Sequence, residues 1–165
     1  MVEMHLVAVR VELPSNTPIL LLQETGGANR TLPIYIGASE AQAIAYALQG
    51  VVTPRPMTHD LMKDLLDELG VSVECVVITE LRDRTFFAEI RLNAGTRRHS
   101  VSARPSDAVA LAVRVNATIY AEEALVDAEG YVLQTDDSEE TPEADDLVVQ
   151  FREFIEGIKP EDFET

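Results

Sequence analysis

Cysteine, histidine and long apolar runs are scarce in this chain. Cys75 is the single cysteine among 165 residues, and there are three histidines. One thiol excludes an internal disulfide, and no Cys/His spacing suits a structural zinc site. No apolar run approaches the ~20 residues that a membrane-spanning helix needs. The opening stretch, MVEMHLVAVRVELP, has neither the basic start nor the continuous apolar segment of a secretory signal. There is also no nucleophile elbow, phosphate-binding glycine loop or dinucleotide fingerprint. Gly26 and Gly27 sit in a hairpin turn that no helix follows. These absences predict a soluble, cytoplasmic protein with no membrane partner.

Basic residues are few as well. Lys and Arg number 13 against 29 Asp and Glu, for a net charge of −16. Phosphate binding relies on Lys and Arg, so this total ordinarily argues against nucleic acid. The distribution of charge weakens that objection, because residues 136–165 carry −10 of it and residues 1–135 only −6. Within 82–104 the sign reverses. Arg82, Arg84, Arg91, Arg97, Arg98 and Arg104 face only Asp83 and Glu89, a local net of +4. Local fields steer ligands more than the total does, and the first five of these arginines are candidate nucleic-acid contacts.

What is present reads as one domain with an appendage. The hydrophobic share is 46% and the charged share 25%, ordinary for a globular protein. Residues 4–13 alternate, with His5, Val7, Val9, Val11 and Leu13 on one face, and predict a half-buried strand. TPILLLQE and TLPIYI follow as strands, and Pro33 places the latter at an edge or bulge. ASEAQAIAYALQG has helical period, with Ser39 and Gln42 as a capping box. Pro54 and Pro56 interrupt. Thr58 then caps a helix from His59 to Leu69, with Leu61, Leu65, Leu66 and Leu69 turned to the core. Residues 71–103 return to period two as a three-strand meander. A helix over 107–115 and the short strand ATIYAEE close the pattern.

The order predicts an α+β fold, a mainly antiparallel sheet covered by helices, over residues 1–133. Residues 134–146 form an acidic linker. Leu147, Val148, Phe151, Phe154, Ile155 and Ile158 make one stripe of an amphipathic helix within 147–165. That stripe must dock on its own domain, a second subunit or another protein. TPILLLQE is apolar on both faces, which favours a dimer that covers both.

Three helix starts carry charge. In ARPSDAVALAVR, Pro105 keeps Arg104 out of helical geometry, Ser106 is a preferred cap, and Asp107 complements the helix dipole. Simple capping with an Arg104–Asp107 pair explains this corner without any catalysis. RPMTHD repeats the design with His59 and Asp60, and Glu40 opens the first helix. If the three starts converge, their carboxylates could hold a divalent cation and their arginines could grip phosphate.

Taken together, PIYIGASEAQAIA (33–45), RPMTHDLM (55–62) and ARPSDAVALAVR (103–114) resemble the bifunctional nuclease domain family in motif and spacing. The resemblance covers roughly residues 1–135. It implies cleavage of RNA and DNA, assembly as homo-oligomers, and functional roles for Glu40, His59, Asp60, Arg104, Ser106 and Asp107. One departure is Ser102, which stands where family members often carry an acidic residue. On this resemblance the expected chemistry is metal-assisted phosphodiester hydrolysis with magnesium or manganese. Asp107, with Asp60 or Glu40, would position the ion, His59 would assist proton transfer, and Arg104 would stabilise charge on phosphorus. The alternative is a non-catalytic oligomeric binding or regulatory module.

Overall fold

The computed structural model describes residues 1–132. Eight strands and four helices follow in the order β1 (Val2–Glu12), β2 (Thr17–Glu24), β3 (Arg30–Tyr35), α1 (Ala38–Leu48), α2 (Thr58–Glu68), β4 (Ser72–Arg82), β5 (Thr85–Ala94), β6 (Arg97–Ala103), α3 (Pro105–Val115), β7 (Thr118–Ala121), α4 (Glu123–Glu129) and β8 (Tyr131–Val132). The strands form one sheet in the order β6-β5-β4-β7-β1-β2-β3-β8. Every pair is antiparallel except β4 with β7. The α+β, mainly antiparallel architecture expected from the sequence is the one observed. The acidic linker and the amphipathic stripe lie outside the described residues.

The core is built around α3. Ala108, Val109, Ala110, Leu111 and Ala112 are each at most 1% exposed. A helix apolar on every side needs cover on every side. The inward residues of the strands supply it, among them Leu20, Leu22, Leu32, Ile34, Val76 and Ile78, while α1 and α2 flank α3. Pro105 occupies the first turn of α3, where its missing N–H costs nothing, and Asn116 ends the helix in the left-handed region.

Several local expectations are corrected. In β1 a register shift between Leu6 and Ala8 switches the inward face. His5 and Val7 are therefore exposed, while Met4 and Leu6 point inward before the shift. In α2, Met62 and Leu66 pack on the core, whereas Leu61, Leu65 and Leu69 are 48%, 53% and 72% exposed. The helix offers two apolar stripes, and α3 covers only one of them. Ser39, Thr58 and Ser106 do not cap. The cap positions are Gly37, Met57 and Arg104, and none makes a side-chain cap bond. Leu21, on the second face of β2, is buried within the single chain, so that strand does not by itself require another subunit. Pro33 lies beyond the two residues of β3 that pair with β8, Arg30 and Thr31, and so faces an open edge.

Candidate active site

The loops after β3 and β6 and the proline-broken segment before α2 each deliver a helix start to one end of the sheet. There the side chains meet. Arg104 holds Asp107 with two hydrogen bonds, Nε to Oδ2 at 2.6 Å and Nη2 to Oδ1 at 3.0 Å. The same Nη2 donates to Glu40 Oε1 at 2.8 Å, joining the start of α3 to that of α1. His59 Nε2 lies 3.0 Å from Asp107 Oδ1, joining α2. Four of the six residues expected at the site thus form one connected group.

Their environments differ in a useful way. His59 is only 6% exposed, while the Arg104 side chain is 65% exposed. Partial burial pushes the Asp107 carboxyl upward, but hydrogen bonds from Arg104 and His59 outweigh this and hold it below the ordinary carboxylate range. Arg104 is held more firmly protonated by Asp107 and then by Glu40. Asp107 is therefore ionised near neutral pH and accepts the hydrogen bond from His59. That fixes the proton of a neutral His59 on Nε2 and leaves the lone pair on Nδ1. Gly37 makes room for the group, because a Cβ there would lie 2.2 Å from Glu40 Oε2.

Asp60 has another task. Its Oδ1 accepts from Arg114 Nε at 2.6 Å and its Oδ2 accepts from the Met57 N–H at 3.0 Å. Arg114, with a side chain only 7% exposed, also donates to Ala110 O and Ala43 O at 2.8 and 3.0 Å. This clamp ties α1, α2 and α3 together; Arg114 closes the ARPSDAVALAVR motif, but no role was expected of it. The hydrogen bond from Arg114 is the main reason the Asp60 carboxyl sits below its usual range.

Asp60 and Asp107, expected to share a cation, are thus engaged by different arginines. Among the described residues no group of three or more His, Cys, Asp or Glu side chains forms a metal cage. In the nearest grouping, Glu40, His59 and Asp107, the Arg104 guanidinium occupies carboxylate oxygens a cation would need. As arranged, the donor set does not fit a divalent ion.

Beside the group lies a cavity of about 380 Å³, lined by Ile34, Tyr35, Ile36, Gly37, Arg84, Thr85, Phe86, Arg104, Pro105 and Ser106. Its walls come from β3 near one margin of the sheet and from the β4–β5 turn and the end of β6 at the other. The sheet therefore curls far enough around α3 for its two margins to face each other. Ser106 lies on this wall. Of the five other candidate arginines, Arg84 alone reaches the cavity. Arg82 lies over the Phe87 ring at 4.5 Å and 3.7 Å from Glu80. Arg91 is 4.0 Å from Glu89, and Arg98 pairs with Glu74. Arg97 and Arg98 begin β6, at the other end of ten-residue β5 from Arg84, about 30 Å away at ~3.3 Å per residue.

Residues 20–134 match the bifunctional nuclease domain. An uncharacterized protein of Mycobacterium tuberculosis is 46% identical over 165 residues, covering 99% of this chain and 98% of that one. Bifunctional nuclease 2 of Arabidopsis thaliana is 30% identical over 143 residues, 82% of this chain and 44% of the plant protein. Bifunctional nuclease 1 of the same plant is 28% identical over 116 residues, 68% of this chain and 36% of its own length. This chain therefore spans less than half the length of either plant relative.

Proposed function

The chain belongs to the bifunctional nuclease domain family, and on that premise we propose that it hydrolyses phosphodiester bonds of RNA and DNA at the Arg104–Asp107–His59 group. The observation that carries this reading is the convergence of Glu40, His59, Arg104 and Asp107 from three helix starts beside a cavity. Capping alone gives no reason for a histidine and a glutamate from two other helices to meet this corner.

In this reading Arg104 binds the phosphate and stabilises the charge that grows on its oxygens. Glu40 and Asp107 hold the guanidinium in place from behind. Asp107 fixes the tautomer of His59, whose Nδ1 accepts a proton from the attacking water. The water oxygen bonds to phosphorus, the P–O ester bond breaks, the departing oxygen takes up a proton from solvent water, and His59 gives the proton it accepted back to solvent. No step runs through a metal ion, because the carboxylates are already committed to arginine.

We also read the chain as self-associating, with a dimer favoured. The exposed stripe Leu61, Leu65 and Leu69 supports this, since an apolar helix face of this kind gains by being covered.

The test is turnover of single-stranded RNA and DNA by wild type and Arg104→Lys, with EDTA or magnesium in parallel. Lysine keeps the charge but loses the forked grip, so turnover should fall at least ~10-fold. It should persist in EDTA. Turnover that needs the metal and survives Arg104→Lys contradicts the assignment, and no turnover in any arm favours a binding or regulatory module.

A further inference from the structure

We infer that the cavity between the sheet margins is a binding site for one nucleotide of a single strand, with its phosphate held by Arg84, Arg104 and Ser106. This rests on the reading of the Arg104 corner as a nuclease site and names the substrate form that corner takes.

The lining carries two guanidinium groups and no carboxylate. Glu40 and Asp107 stand behind Arg104 and are not on the wall. The starts of α1 and α3 both border the space through Gly37, Pro105 and Ser106, adding the partial positive charge of two helix N-termini. Ser106 adds a donor to the same wall. The residue is 5% exposed overall, and its hydroxyl, unbonded among the described residues, is open to the cavity, where it can donate to an anion.

Arg84 supplies the other half of the grip. It sits in the two-residue turn between β4 and β5 with φ of 60°, beside Asp83 at 51°. Such turns favour Asn-Gly or Asp-Gly, because a side chain is disfavoured in the left-handed region. Glycine would make the same hairpin without that cost. No carboxylate within the described residues forms an ion pair with Arg84, so its guanidinium is available to an anion.

The remaining wall is apolar, with Ile34, Ile36 and Phe86, and Tyr35 adds a ring that is 58% exposed. A phosphate at the arginines thus places its nucleoside against an apolar, aromatic surface, where stacking is sequence-tolerant. About 380 Å³ between two protein margins accommodates one nucleotide. A duplex keeps its bases paired and stacked inside, so it cannot lay a nucleoside on that surface without unpairing.

The test is binding without turnover. The full chain is titrated in EDTA, at a pH where cleavage is negligible, against a fluorescein-labelled six-residue oligothymidylate, with anisotropy as readout. Arg84→Gly removes the guanidinium and suits the turn, so the fold is preserved. It should weaken binding about tenfold or more. Arg97→Ala, about 30 Å away by strand length, should change it less than about twofold, and Ser106→Ala should weaken it about threefold to tenfold. Uridine monophosphate should compete, and a twelve-base-pair duplex should bind at least about tenfold more weakly than the single strand. Equal losses for Arg84→Gly and Arg97→Ala, or a duplex bound as tightly as the single strand, overturn the inference. The nuclease reading fails separately. A protein that binds the oligonucleotide through Arg84 but never cleaves refutes only the activity, and one that cleaves with Arg84→Gly unchanged refutes only the pocket.

Discussion

Arg114→Met should destabilise the domain more than any change at an exposed arginine, and it should disturb the active site from a distance. The side chain is 7% exposed and makes three hydrogen bonds, to Asp60, Ala110 O and Ala43 O. Breaking a buried charged pair costs about 3–5 kcal/mol when the other charge stays stranded. Asp60 is 36% exposed and can recover water, which lowers the cost, and Ala43 O keeps its bond within α1 and loses only the second one from Arg114. Methionine keeps the apolar stem packed. A net loss of about 3 kcal/mol is the working figure. With a urea slope of about 2 kcal/mol per molar, the midpoint should fall by about 1.5 M. Asp60→Asn should cost less, and the double variant should show coupling, since both residues belong to one clamp. His59 precedes Asp60 on α2, so turnover by Arg114→Met should also fall under conditions where the variant is folded. A midpoint within about 0.3 M of wild type would refute the clamp.

Two more expectations follow from the site. Gly37→Ala places a Cβ 2.2 Å from Glu40 Oε2, the far end of a flexible side chain, at an ordinary backbone φ of −76°. Stability should change by less than about 1 kcal/mol, while turnover falls because Glu40 is pushed off Arg104; unchanged turnover would show that Glu40 does not position the guanidinium. On acidification, Asp60 and Asp107 have folded-state pKa values below their unfolded ones, so their contribution is present above about pH 3.9 and lost as pH falls through the folded values. Urea midpoints should therefore hold between pH 7 and 5 and drop below about pH 4, and the drop should be smaller in Asp60→Asn.

Periodicity was enough to read the succession of elements from β1 to β7 and the burial of α3, because alternation and an all-apolar helix report burial directly; it missed α4 and β8, which follow where the pattern was expected to close on the strand ATIYAEE. It failed where geometry depends on partners. The shift at Leu6–Ala8 in β1 leaves no mark in a pattern of alternating residues, so His5 and Val7 read as inward. In α2 the sequence carries two apolar stripes, and only the packing of α3 decides between Leu66 and Leu65. The motifs led to Glu40, His59, Arg104 and Asp107, because a charged residue at a helix start is conspicuous beside an apolar run. They could not separate Asp60 from that set. Its partner Arg114 lies 54 residues away at the far end of another helix, where it reads as ordinary compensation of the helix dipole. Curling of the sheet was equally invisible, and that curl makes Arg84 the one arginine of the 82–98 stretch that lines the cavity.

The most direct measurement of the account is turnover by Asp107→Asn beside wild type, purified in parallel from the same host, on single-stranded RNA and DNA. Asparagine keeps the size of the side chain and an oxygen that accepts from Arg104 or His59, so the circular dichroism spectrum should match wild type, while the urea midpoint at pH 7 should fall modestly, by the contribution that acidification removes from Asp107. What is lost is the charge that fixes the His59 tautomer and holds the Arg104 fork. Turnover should fall by about 100-fold or more, the scale of losing one acid–base or electrostatic element. Equal turnover in the two preparations would contradict the account and leave the corner as a structural ion-pair cluster.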